Sequence, residues 1–105
     1  MKIYQMINIE KQIKQWQEGS KEEWEVASEL IANQRIRHGL FLAHLAMEKM
    51  LKAHVCKQTS NIAPRIHNLV RLSEIASLQM SSEQLSFLAK LNKHNIEGRY
   101  AESLT

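Results

Sequence analysis

Three ionisable residues of this 105-residue chain, His44, Glu48 and Lys52, recur at i, i+4 and i+8, with Lys49 beside them. On an α-helix that spacing places them in one stripe. Exposed, a Glu48–Lys52 pair would contribute about 0.2–0.5 kcal/mol. Buried, each charge would need a partner, because an unpaired one costs several kcal/mol. Glu48, Lys49 and Lys52 therefore read either as structural ion pairs or as the lining of a ligand groove or subunit contact. His44 and Glu48 also have the spacing of two metal ligands on one helical face. No third and fourth ligand completes that set, so no metal is expected. Cys56 is the single cysteine, which excludes an internal disulfide and a multi-cysteine zinc site, and its helical context predicts a buried, inert thiol. Aspartate is absent, which removes Asp-based calcium loops, Walker-type magnesium sites and aspartyl nucleophiles. Without a Gly-rich phosphate loop either, no cofactor is expected.

Charge is divided unevenly around the stripe. Residues 1–34 hold four lysines against six glutamates, a net −2. Residues 35–105 hold ten Lys or Arg against five Glu, a net +5, with all five histidines. The distribution reads as a solvated mixed surface, or as a basic face that meets a phosphate-bearing or acidic partner. The apolar runs are too short to span a membrane, and the N-terminus lacks a signal-peptide pattern, so a cytoplasmic protein is expected.

The elements that must carry these residues are helical. Three glycines and one proline leave too few turns for a sandwich or barrel, while helix formers dominate. Length allows a single domain. Met6, Ile9, Ile13, Trp16, Trp24, Ala27, Leu30 and Ile31 form one helical stripe in which Ser20 occupies the missing place. Ser20 with Glu23 is a capping-box pattern, so either a fresh helix begins at Gly19-Ser20 or one long helix runs through. After a turn over Asn33–Gly39, a second helix is predicted near 37–57. Apolar residues cover almost its whole circumference, the mark of a central, buried helix. A loop over 58–66 leads to a short third helix near 67–78. Ser81 with Gln84 is another capping box, opening a fourth helix to about Asn95 with Leu85, Leu88 and Leu91 or Asn92 facing inward. Gly98 is the expected stop, and 99–105 the expected tail. The sum is an all-α, antiparallel up-and-down bundle of four to five helices.

The run from Phe41 to Ala53 resembles the second helix of HEPN domains, small prokaryotic helical proteins. Their pattern there is an aromatic followed by Ala-x-Glu-Lys-x-Leu-Lys-Ala, matched by Ala46, Glu48, Lys49, Leu51, Lys52 and Ala53. Trp24, Ala27 and Leu30 resemble the first-helix pattern. Pro64-Arg65-Ile66-His67-Asn68-Leu69 resembles Pro-x-Thr-His-Asp-Leu, with Ile66 and Asn68 departing from it. Arg99-Tyr100 resembles the Arg-Tyr after the fourth helix, with Ala101 where proline is common. Four motifs stand in register over about residues 16–103, with 1–15 an N-terminal extension of the first helix in a single domain, 1–105. Many relatives carry one more helix, which here would come from that extension or from a partner subunit.

The resemblance implies two kinds of role. Many HEPN proteins are encoded beside a minimal nucleotidyltransferase and pair with it in a toxin–antitoxin or regulatory relation. Others are metal-independent endoribonucleases, dimers with an arginine, four to six residues and a histidine near the last helices. Arg99 has no histidine downstream, and Arg37 with His44 has the spacing in the wrong helix. The expectation is thus a homodimeric accessory subunit of a separately encoded nucleotidyltransferase, contacting nucleotide or RNA through its basic half. A ribonuclease toxin and a purely structural dimerisation module are the alternatives. In a nuclease, His67 would move protons and Arg99 would bind phosphate, with Tyr100 beside them. Alternatively, His67 bonds backbone at the start of the third helix, while Arg99 and Tyr100 pin the tail. The candidate binding residues are Glu48, Lys49, Lys52, His67, Arg99 and Tyr100.

Overall fold

Helix α1 covers Ile3–Ala32 without a break at Gly19-Ser20. In the computed structural model, which describes the backbone of residues 3–103 and the side chains of 8–95, Ser20 is not a cap. It is buried, and its Oγ donates to the Ala46 carbonyl at 2.8 Å. Gly19 sits inside the helix where a side chain has little room: a Cβ would lie 3.1 Å from Lys49 Cδ.

Helix α2 spans Ile36–Thr59, α3 Leu69–Ile75 and α4 Ser82–Ser103. No strand occurs among the described residues. Pairings between α1 and α2 descend in number, from Gly39 against Ala27 and Ile31 to Ala46 against Ser20, so the two are antiparallel. They approach closely at Gly39, where a Cβ would meet Ile31 Cγ1 at 2.5 Å and the Ala27 carbonyl at 3.2 Å. Helix α2 packs on all three other helices, as its apolar circumference predicts, whereas among the described residues α1 packs on α2 alone. The core joins Ala27, Ala43, Leu51, Val55, Leu69, Leu72, Ala76, Leu88 and Leu91.

The helix ends follow a rule other than glycine. Gln34, Ser60 and Ser77 hold the left-handed positions, with φ of 67°, 52° and 56°. After α1, Arg35 N–H reaches the Leu30 carbonyl and Gln34 N–H the Ile31 carbonyl, the double bond of a Schellman stop. After α3, Leu78 N–H to Ser73 and Ser77 N–H to Glu74 repeat it. This is why α3 ends at Ile75 rather than near 78. Gly98 does not end α4, which continues to Ser103 through most of the expected tail. An interior glycine lowers helix stability by about 1 kcal/mol but leaves the hydrogen-bond ladder intact. At the start of α4 the capping box is reciprocal: Ser81 N–H donates to Gln84 Oε1 at 2.9 Å, and Gln84 N–H to Ser81 Oγ at 3.1 Å.

Of the α1 stripe, Ile9, Ile13, Trp16 and Leu30 are only half-buried, and two members are exposed. Trp24 is 46% exposed and Ile31 37%. A helix with one neighbour can bury only the narrow strip centred on Ser20 and Ala27, and its wider apolar edge is left at the rim.

Candidate functional site

The stripe His44–Glu48–Lys52 is buried, on the side of α2 that meets α3 and α4. Glu48 is its centre. Lys52 Nζ donates to Glu48 Oε2 at 3.1 Å. His67 Nδ1 lies 3.0 and 3.1 Å from the two carboxylate oxygens. A carboxylate only accepts, so the His67 proton sits on Nδ1 and its Nε2 is left as the basic nitrogen. Lys52 is further held 5.5 Å from the Trp16 ring centroid, a cation–π contact that closes the cluster from α1. An ion pair this deep needs all its hydrogen-bonding capacity used, and Glu48 meets that demand with donors from two elements.

His44 sets a second layer. Its Nδ1 lies 3.8 Å from Glu48 Oε1, and its Nε2 lies 3.3 Å from Asn92 Oδ1. The Asn92 amide is oriented by two other bonds. Its Oδ1 accepts Leu69 N–H at 2.9 Å, and its Nδ2 donates to Asn68 Oδ1 at 3.0 Å. His44 Nε2 must therefore be the donor. Asn68 in turn caps α3 by accepting Arg71 N–H at 3.1 Å. Asn68 is thus the helix cap, and the apolar Ile66 in the usual threonine position costs no cap. One connected set of side chains joins α2, the loop before α3, α3 and α4.

His67 does not bond nearby backbone, as the structural expectation had it; it reaches 19 residues back to Glu48. Its side chain is 52% exposed. Lys49 is separate from the cluster: it crosses Gly19 to pair with Glu23 on α1. Arg37 is exposed and His44 buried, nearly two turns apart on α2. Arg99 and Tyr100 lie on α4, but their side chains fall outside the described residues, so their approach to His67 does as well. Among the described residues no group of three His, Cys or Glu is placed to hold a metal. Cys56 is fully buried, and burial raises its thiol pKa above the ordinary value. No described helix is long and apolar enough to cross a membrane.

Residue patterning missed Asn92, Asn68 and Trp16 as parts of the site. Asn92 offered a signal: it is a polar residue on the inward stripe of α4. Trp16 offered none beyond its apolar spacing.

A second feature lies on the other side of α2. Between α1 and α2 runs an apolar groove of 450 Å³ lined by Gln17, Ser20, Lys21, Trp24, Ala46, Met47 and Met50.

Chemically, the Glu48–His67 pair is a carboxylate-oriented imidazole at the surface, while the Asn92 layer only positions. An all-α bundle whose central helix buries a Glu–Lys pair, tied to a histidine before the third helix, defines the class. The HEPN domain family model matches residues 13–105. This chain is a member of the HEPN family. Comparison with curated proteins and with solved structures returned no match.

Proposed function

We propose that the protein is an accessory or regulatory subunit, a homodimer that works with a separately encoded nucleotidyltransferase in a toxin–antitoxin-like pair. One observation carries this reading: Glu48 bonds Lys52 and His67, while Asn92 bonds His44 and the backbone of α3. A cluster so used holds the bundle together and leaves the outer surfaces as the means of action. Family members have toxin, ribonuclease or antitoxin-like roles, and many act beside such an enzyme. The basic half, residues 35–105, is the part suited to nucleotide or RNA. Co-expression with a nucleotidyltransferase encoded alongside tests the reading. It expects one co-eluting complex on size exclusion, and separate elution of the two chains would overturn it.

The ribonuclease alternative is favoured by one observation. His67 is half exposed, with Nδ1 held by Glu48 and Nε2 basic, the arrangement of a general acid–base. Metal-free cleavage of RNA, abolished by His67→Ala or Arg99→Ala, would establish it. If the protein bound neither RNA, nucleotide nor enzyme, only a structural dimerisation module would remain.

A further inference from the structure

We propose that the groove between α1 and α2 docks an acidic amphipathic helix of a partner protein. The inference deepens the subunit reading above and rests on it.

Shape and lining come first. Trp24, Met47 and Met50 form the apolar walls, Ala46 and Ser20 lie beneath, and Ser20 Oγ is already committed to the Ala46 carbonyl. Trp24 and Met50 are 46% and 36% exposed, a large apolar area left to water. Aromatic and Met side chains are the types enriched at protein contacts, and Met walls adapt to an incoming side chain. A small-molecule site would also need several convergent polar groups to orient its ligand. Here only Gln17 and Lys21 stand at the rim. A trough running between two helices with one apolar strip is the geometry that receives a third helix.

Charge selects the occupant. Lys21 is the one ionisable group in the lining. Met47, Met50, His54 and Lys57 follow at i, i+3, i+7 and i+10, so the α2 wall of the groove continues into a basic end, while the α1 side carries Lys14 and Lys21 with Glu10 and Glu25. Every exposed ionisable residue of α2 is basic: Arg37, His38, His54 and Lys57. Its one acid, Glu48, is buried and paired with Lys52. A second copy would bring the same basic α2 edge to the contact and supply no exposed acid from α2 to match it. RNA would demand several phosphate contacts, and the groove proper offers a single lysine. An apolar stripe flanked by Glu or Asp satisfies both features.

The test uses the full chain with methyl-labelled methionine and indole-labelled tryptophan. Two synthetic helical peptides share a Leu/Phe stripe at i, i+3, i+4 and i+7, one flanked by Glu and the other by Lys. With the acidic peptide, the Met47 and Met50 methyl and Trp24 indole signals should shift, while Met80 and Trp16 stay in place. The Lys-flanked peptide should bind about tenfold or more weakly. Met50→Glu should abolish binding of the acidic peptide with the circular dichroism melting curve unchanged. Equal binding of the two peptides, or none, overturns the proposal. So do the same shifts produced by poly-uridine RNA, or by raising the protein concentration alone, which would assign the groove to nucleic acid or to a second copy. The subunit reading fails separately. If Met50→Glu leaves the co-expressed nucleotidyltransferase complex intact, the groove assignment falls and the subunit stands. If the acidic peptide binds as described but the wild-type chain forms no such complex, the subunit reading falls and the groove assignment holds.

Discussion

Replacing Glu48 by Gln keeps the side-chain volume and removes only the charge and one acceptor oxygen. In the native protein that carboxylate is 5% exposed and takes hydrogen bonds from Lys52 and His67. Gln offers one carbonyl oxygen to two donors and turns its own NH2 toward the other. Lys52, itself 6% exposed, then keeps a buried ammonium without a counter-charge. Removing one member of a buried pair costs about 3–5 kcal/mol. Against a total stability of about 5–15 kcal/mol, Glu48→Gln should remove a large fraction of the folding free energy. The assay is urea unfolding followed by circular dichroism, with the slope of the transition checked for constancy. Lys52→Met supplies the second arm. Alone it should destabilise by less, since His67 still donates a hydrogen bond to Glu48. Combined with Glu48→Gln it should recover about 1–3 kcal/mol, the coupling typical of contacting groups. A Glu48→Gln protein within about 0.5 kcal/mol of wild type, or a double variant no more stable than Glu48→Gln, would refute the lock.

Three further predictions test the packing and the ends of helices. Gly39→Ala should destabilise by about 1–3 kcal/mol despite alanine's higher helix propensity, because its methyl meets Ile31 and the Ala27 carbonyl; a thermal melt decides it, and a stabilised variant would contradict the close approach. Gln34→Gly should stabilise by about 0.5–1 kcal/mol, since a left-handed position costs a residue with a Cβ about 1–2 kcal/mol and glycine returns part of that as chain entropy; destabilisation in the same melt would sink the Schellman assignment. Cys56 in the native protein should react with a thiol-specific disulfide reagent far more slowly than in urea, because burial disfavours its thiolate. Folding holds that proton, so its contribution to stability is full at neutral pH and is lost as pH rises through the thiol range. Equal native and unfolded reaction rates would place Cys56 at the surface.

Periodicity was enough to locate the long helices and to pick α2 as the central one, because burial on all sides leaves a pattern around the whole helix. The Ser81–Gln84 box was legible for the same reason: its partners are three residues apart. Helix ends were less so. All three left-handed positions among the described residues fall on Gln or Ser, residues with no special preference for that region, so residue type did not mark the stops. Gly19 and Gly39 do the opposite of ending helices: they let Lys49 and α1 come close. The site was legible in part. The stripe of His44, Glu48 and Lys52 was visible from its spacing, and a family resemblance singled out His67. That the two meet, and that Asn92 ties His44 to the start of α3, depends on contacts 19 to 48 residues apart. No local pattern encodes those. Trp24 was read as core because spacing alone does not count how many neighbours a helix has.

The tie from α2 to α4 depends on the direction of the hydrogen bonds around Glu48 and Asn92. Long-range 1H–15N NMR of the histidine rings, recorded where they are neutral, reads that direction. His67 should carry its proton on Nδ1 and His44 on Nε2. A His67 ring protonated on Nε2, or a His44 ring protonated on Nδ1, would break the chain of contacts from α2 to α4.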